Sequence, residues 1–167
     1  LHKKNPVKSL SDDQIKAIYT GKIGNWKELG GEDRKITVVN KAEGRSTLEL
    51  FLHYFQLKNP EIRAHVVIGD NQQGIKTVAG NPGAIGYVSI GTAEYEEAHQ
   101  TPIRLLPMAG VAASTKNVRD GRFPLSRPLN LVTKGAPAAL AKRFIEFSQS
   151  AAVNDLVQEQ YFVPLAR

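Results

Sequence analysis

Residues 35–56 read KITVVNKAEGRSTLELFLHYFQ. The β-branched run at 35–40 predicts a short buried strand, and Gly44 marks the turn that follows it. Apolar residues at helical spacing then predict a helix from about Ser46 to Gln56. A strand, a loop and a helix in this order are typical of an α/β fold.

The same order recurs along the first hundred or so residues. Residues 65–68 predict a second strand, and residues 72–79 predict a helix after a Gly-Asp-Asn turn. Further strands are predicted at 84–88 and 103–106. The first part of the chain is therefore expected to form a compact α/β lobe.

The second part of the chain has a different pattern. Residues 115–128 are rich in basic and turn residues, which fits a crossover between two lobes. A strand is predicted at 129–133, and helices are predicted at 137–147 and 151–160. These residues are expected to leave the first lobe and to pack separately.

The composition is that of a folded protein. Of the 167 residues, 41% are hydrophobic and 23% are charged, which excludes a disordered tail. The longest apolar stretches fall far short of the roughly 20 residues that a membrane-spanning helix needs. The formal net charge of +6 favours anionic partners, and the absence of cysteine excludes disulfides. Because the chain begins with Leu rather than Met, any export signal is expected upstream.

The loop between the first strand and its helix carries groups that suit an oxyanion. The first backbone N–H groups of a helix have no intrahelical partner, and the helix dipole places partial positive charge there. Ser46 and Thr47 add hydroxyl donors, and Gly44 lets the backbone approach a ligand closely. Arg45 offers a planar fork of N–H donors, and Lys41 offers a point charge. The sequence predicts an anion site here.

Two alternatives remain open from these residues alone. Ser46 and Glu49 have the spacing of a capping box, which any helix can use. The turn after the second strand also opens a helix, so Asn71 and Gln72 are possible ligand-binding residues, although a plain strand-to-helix turn explains them as well.

Motifs for enzymatic chemistry are missing from the sequence. It contains no Gly-x-Ser-x-Gly elbow, Walker A loop or dinucleotide fingerprint. The four histidines show no metal-ligand spacing. We therefore assign no catalytic residue, no metal ligand and no cofactor, and expect a binding protein. The lone Trp26 is interpreted as a core residue rather than a sugar-stacking one.

Several short blocks of sequence follow one another along the chain: 5–7 (NPV), 10–11 (LS), 18–23 (IYTGKI), 25–26 (NW), 36–39 (ITVV), 44–47 (GRST) with Phe51, 82–88 (PGAIGYV), 123–125 (FPL), 127–129 (RPL) and 161–165 (YFVPL). Taken in this order, they resemble the substrate-binding proteins of phosphate ABC transporters. Block 44–47 resembles the phosphate-binding loop of that family. The blocks span nearly the whole chain, so the resemblance is specific.

The resemblance implies a fold and a function. The fold is α/β and periplasmic-binding-protein-like (type 2), a mixed sheet flanked by helices. Residues 1–110 would be a complete ligand-binding lobe, and residues 111–167 the crossover and C-terminal segment of the other lobe, whose N-terminal part is lacking. The function is periplasmic or extracytoplasmic binding of phosphate or a similar oxyanion for an ABC permease, without catalysis. Self-association through the incomplete lobe is expected to cover its exposed apolar surface.

The loop departs from the family pattern. The family loop usually reads Gly-Ser-Gly-Thr, whereas Arg45 stands here at the first Ser and Ser46 at the second Gly. Lys41 matches the basic residue that precedes the family loop, and Glu43 lies where an acidic residue is common. Glu43 near the ligand would accept a hydrogen bond from a protonated oxyanion and repel a fully deprotonated one. The bound anion could therefore differ from phosphate.

Two other functions are compatible with parts of the pattern. A sensor or surface-attachment module could be built on the same lobe. A nucleic-acid-binding domain would use the +6 charge and the anion-friendly helix start. The basic residues are dispersed, however, and only 7% of the residues are aromatic, so no stacking platform for bases is predicted and nucleic acid is not expected as a partner.

Overall fold

The computed structural model describes residues 1–165. The helices are α1 (Asp12–Tyr19), α2 (Ser46–Phe55), α3 (Asn71–Gly80), α4 (Ile90–Ala98), α5 (Thr115–Arg119), α6 (Ala139–Ser148) and α7 (Asn154–Glu159), and the strands are β1 (Thr37–Lys41), β2 (Val66–Ile68) and β3 (Ala84–Ile85). Short 3-10 turns lie at Trp26–Leu29, Asn59–Glu61 and Ala151–Val153. None of these helices is long and apolar enough to cross a membrane.

The three strands form one sheet in the order β2-β1-β3. β1 is central and parallel to both neighbours, with Val39 opposite Val66 and Thr37 opposite Ala84. The predicted α/β class is confirmed. Where we expected a mixed sheet, the strands named in residues 1–165 are all parallel, and antiparallel pairing is limited to single bridges.

Helices cover both faces of this sheet. Successive side chains of a strand point to opposite faces, and the two central valines of β1 show this. Val38 packs in a cluster with α1 and α2, whereas Val39 packs in another with α3 and α4. β1 is therefore buried on both sides, which suits its two adjacent valines.

Trp26 lies in the first of these clusters, as its sequence context predicts. Its side chain is 1% exposed, and its indole Nε1 donates a hydrogen bond to the Gly83 carbonyl oxygen at 2.9 Å. The bond ties the turn before β1 to the turn before β3. Trp26 is therefore a structural residue that links the segments leading into two neighbouring strands.

The prediction of a strand at 103–106 is wrong. Ile103 makes a single antiparallel bridge with His2, while Lys3 N–H donates to the Pro102 carbonyl and the Leu1 amino group to the Arg104 carbonyl. The residues around His2 form no strand, so the hydrogen bonding does not continue from this bridge into a β-ladder. The two ends of the α/β body, which we define as residues 1–105, therefore lie side by side.

The prediction of a strand at 129–133 is also wrong. Leu129 is 75% exposed and Val132 is 89% exposed, and neither belongs to a strand. A β-strand is stabilised by hydrogen bonds to a neighbouring strand, and within residues 1–165 none lies beside this stretch. This stretch is therefore irregular chain with no neighbouring strand within residues 1–165.

The C-terminal helices agree with the predicted pattern. α6 begins two residues after Pro137, and the predicted helix at 151–160 is divided into a 3-10 turn followed by α7. The chain then returns to α4, where the Tyr161 ring lies 4.9 Å from the ring of Tyr95. A Cβ on Gly91 of α4 would overlap the Tyr161 carbonyl oxygen, so this contact requires glycine.

Candidate anion site

The loop between β1 and α2 is open to solvent. Gly44 adopts a φ of +76°, a left-handed conformation that favours glycine, and no atom lies within 4 Å of where its Cβ would be. Arg45 and Ser46 are exposed, and Thr47 is half-buried. A ligand can therefore reach the predicted groups of this loop.

The N-terminus of α2 has no side-chain cap. Arg45 is its N-cap residue and makes no capping hydrogen bond, and Ser46 is the first residue of the helix. The capping box between Ser46 and Glu49 is therefore not formed. Within residues 1–165, the backbone N–H groups of Ser46 and Thr47 have no acceptor. Unpaired donors at a helix start suit an anion.

Lys41 is a buried cation at the end of β1. Its side chain is 3% exposed, and its Nζ donates to the Asn71 side-chain oxygen at 2.8 Å. Burial lowers the pKa of Lys41; the negative charge of Asp70 raises this pKa and the positive charge of Arg45 lowers it. Within residues 1–165, no carboxylate lies within 4.0 Å of Nζ. The ammonium therefore has a neutral partner and lacks a paired negative charge.

The loops that follow β1 and β2 meet at one edge of the sheet. A Cβ on Gly69, just after β2, would lie 3.7 Å from Nη2 of Arg45. Asp70 caps α3, since its Oδ1 accepts a hydrogen bond from Gln73 N–H at 2.8 Å. The fold thus brings Lys41 and Arg45 together near the start of α3.

Tyr87, just after β3, completes this edge, and the sequence analysis did not identify it. Its hydroxyl donates to Asn40 Oδ1 at 2.5 Å and accepts from Lys41 N–H at 3.4 Å, while its ring stacks on Phe51 at 4.1 Å. Burial raises the pKa of Tyr87 to about 12, so the hydroxyl keeps its proton at neutral pH. The sequence placed Tyr87 within the strand predicted at 84–88 and within the block 82–88, but which strand pairs with β1 is not readable from the sequence.

The position of these groups is the one where open α/β sheets bind ligands. β1 and β3 are neighbours, and the helices that follow them, α2 and α4, pack on opposite faces of the sheet. Ligands of such sheets lie in the crevice at the carboxyl ends of two such strands. The loop from Lys41 to Thr47 lies at that end of β1.

The remaining candidate site residues differ in whether they contact Lys41 or Arg45. Glu43 Oε1 accepts a hydrogen bond from Asn59 Nδ2 at 2.7 Å, and Gln72 Nε2 donates to Glu96 Oε1 at 2.9 Å. Neither side chain is bonded to Lys41 or Arg45. Of the possible residues outside the loop, Asn71 is the one that joins the site directly, through Lys41.

The chain is similar to several known proteins. Residues 1–152 match the profile of the PBP superfamily domain. The chain is 34% identical over 160 residues to the phosphate-binding protein PstS of Bacillus subtilis (strain 168), a match that covers 95% of this chain and 51% of the relative. This chain thus spans about half the length of that protein.

Two solved structures extend the match. A Clostridium perfringens protein with bound phosphate, described as a phosphate ABC transporter substrate-binding protein, is 36% identical with a TM-score of 0.79, covering 99% of this chain and 66% of its own. An ABC-type phosphate transport receptor from Vibrio cholerae is 26% identical with a TM-score of 0.76, covering 96% and 66%. The match to the family profile spans most of the chain, and the chain therefore belongs to the family described as the PBP superfamily domain.

Proposed function

We propose that this chain binds phosphate or a similar tetrahedral oxyanion as part of the substrate-binding component of an ABC uptake transporter. The observation that carries the proposal is the uncapped start of α2, with Lys41 and Arg45 beside it. The names of the matched relatives and of the solved structures support the same ligand class. The partner would be the transporter's permease, and the place of action would be extracytoplasmic.

The loop would hold the anion by several kinds of donor at once. The backbone N–H groups and hydroxyls of Ser46 and Thr47 would bind oxygens at the helix end, where the dipole favours negative charge. Arg45 would add a forked charge-assisted contact and Lys41 a buried positive charge. Gly44 would let the anion approach the backbone, and Glu43 would disfavour a fully deprotonated oxyanion if a ligand turned it from Asn59.

The division of the chain belongs to the same proposal. Residues 1–110 would form the complete ligand-binding lobe, and residues 111–167 would be the crossover and C-terminal segment of a second lobe. A second lobe that closes on the anion would exclude water and add donors. This chain alone would therefore bind anions more weakly than a closed two-lobed protein.

Arg45→Ala tests the site directly. We expect a loss of about 1.5–3 kcal/mol of binding free energy, or about 10- to 150-fold in affinity, because a charge-assisted hydrogen bond is removed. Thr47→Ala should cost only about 0.5–1.5 kcal/mol, since its hydroxyl is neutral. Isothermal titration with phosphate, sulfate and tungstate measures both. Arg63→Ala, an exposed arginine beside Gly21, is the matched control. Unchanged affinity of Arg45→Ala for every anion would remove the loop from the site.

Self-association is proposed for the apolar face of α6. Leu140, Phe144 and Phe147 are 79%, 60% and 55% exposed and lie at helical spacing on one face. Exposed apolar patches of this kind are uncommon on soluble monomers, so a second copy should cover it. Light scattering of the 167-residue chain should give a mass above the monomer, and Phe144→Ser with Phe147→Ser should lower it. A monodisperse monomer for the parent chain contradicts this proposal.

A further inference from the structure

The buried ammonium of Lys41 is anchored by a neutral group. Nζ donates to Asn71 Oδ1 at 2.8 Å, and the Lys41 side chain is 3% exposed. The nearby carboxylate of Asp70 is engaged elsewhere, because its Oδ1 accepts from Gln73 N–H at 2.8 Å. Asn71 therefore fixes the direction of the ammonium, while the positive charge remains without a paired anion in residues 1–165.

The orientation of the Asn71 amide is itself fixed by Ser89, the N-cap residue of α4. Asn71 Nδ2 donates to Ser89 Oγ at 2.8 Å, and Ser89 N–H donates to Asn71 Oδ1 at 3.4 Å. The Ser89 and Thr92 hydroxyls lie 2.8 Å apart, and Thr92 is buried. Because the amide nitrogen is used by Ser89, the amide oxygen faces Lys41. The chain of contacts runs from the end of β1 through the start of α3 to the start of α4.

We infer that Asn71 is a positioning residue, which holds Lys41 at the anion site and, being neutral, leaves the lysine charge available to the ligand. The inference rests on the proposed function. A carboxylate in the same place would keep the hydrogen bond but would neutralise the ammonium, and the incoming anion would then compete with it. Neutrality at this position would set how strongly the site attracts anions.

Asn71→Asp separates this role from a merely structural one. The aspartate keeps an acceptor for Lys41, so the variant should fold and its thermal midpoint should equal or exceed that of the parent chain. Its affinity for sulfate, whose charge does not change between pH 6 and 9, should nevertheless fall by about 10- to 100-fold. A structural role alone predicts unchanged affinity in a variant of unchanged stability. Asn71→Ala removes the hydrogen bond to Lys41 without adding charge, so its affinity for sulfate should fall by a smaller factor.

A double-mutant cycle tests whether the effect passes through Lys41. In the Lys41→Met background, Asn71→Ala should change sulfate affinity by less than it does in the parent chain, because no ammonium remains to be held in place. The ¹³C NMR signal of the Lys41 Cε, followed as the pH is changed, gives the pKa of Lys41 as a second measurement that needs no ligand. The pKa of Lys41 should rise in Asn71→Asp, where a negative charge faces the ammonium, relative to the parent chain.

The outcomes distinguish this inference from the function on which it rests. If the parent chain binds neither phosphate nor sulfate in isothermal titration, the proposed function is wrong and the inference is lost with it. If the parent binds and Asn71→Asp binds equally well, only the inference is wrong. If Asn71→Ala loses as much affinity in the Lys41→Met background as in the parent, Asn71 acts independently of Lys41, which also overturns it.

Discussion

Lys41→Met should lose about 100-fold in oxyanion affinity and yet unfold less readily than the parent chain. The loss follows from removing a buried cation beside the site, at the upper part of the range for a charge-assisted contact. The gain in stability follows because a cation with no paired carboxylate is expensive to bury, whereas methionine fills a similar volume without charge. We expect the free energy of unfolding to rise by about 1 kcal/mol. Isothermal titration and urea denaturation measure the two quantities.

The pH dependence of stability gives an independent check on that substitution. Since burial lowers the pKa of Lys41, the unfolded chain binds this proton more tightly than the folded chain does. The parent chain should therefore gain stability as the pH rises through the folded pKa of Lys41 towards the ordinary lysine value, and Lys41→Met should lack this gain. Lys76→Met, an exposed lysine on α3, is the matched control and should change neither affinity nor stability. Equal anion affinity in Lys41→Met and the parent would exclude Lys41 from the site.

Trp26→Ala should destabilise the chain by about 3–5 kcal/mol, the range for truncating a buried aromatic side chain. The indole is 1% exposed, and its Nε1 bond to Gly83 spans 57 positions of the sequence, so both packing and a long-range tie are lost. Folded domains are stable by only about 5–15 kcal/mol, so this single change removes a large share. Urea unfolding followed by far-UV circular dichroism measures the loss.

Trp26→Phe is the matched variant for this prediction. It keeps an aromatic ring in the core but removes the donor to the Gly83 carbonyl, so the loss should be about 1–3 kcal/mol, the cost of leaving a buried acceptor unpaired. A cost below about 1 kcal/mol for Trp26→Ala would contradict the core assignment. It would instead favour the sugar-stacking interpretation that the sequence leaves as the alternative.

Local patterns made the first half of the site predictable. β1, the open loop and α2 are encoded within about twenty consecutive residues, where β-branched residues, one glycine and helical spacing act over short distances. The N-cap position differs from the prediction by one residue. Serine is a common N-cap residue, but Ser46 is already the first residue of the helix and Arg45 is the N-cap. Composition identifies a helix start to within a residue or two, whereas the backbone geometry decides which donors remain free.

Long-range contacts explain what the sequence could not provide. Tyr87 and Asn71 reach the site through partners 46 and 30 positions away, and no local pattern encodes which strands become neighbours. The same limitation produced the incorrect strand at 129–133, whose apolar alternation satisfies a local rule. Strand formation depends on a partner elsewhere in space, and the part of the chain that the structure describes provides none.

The pairing of residues 1–3 with residues 102–104 has a consequence for how the α/β body can be moved. The Leu1 amino group lies 2.9 Å from the Arg104 carbonyl oxygen, so the two ends of a hundred-residue segment are about one strand spacing apart, roughly 5 Å. A segment with adjacent ends fits into a surface loop of a host protein without stretching either chain. The body is therefore suited to transplantation, and the loop that follows β1 would travel with it into a new scaffold.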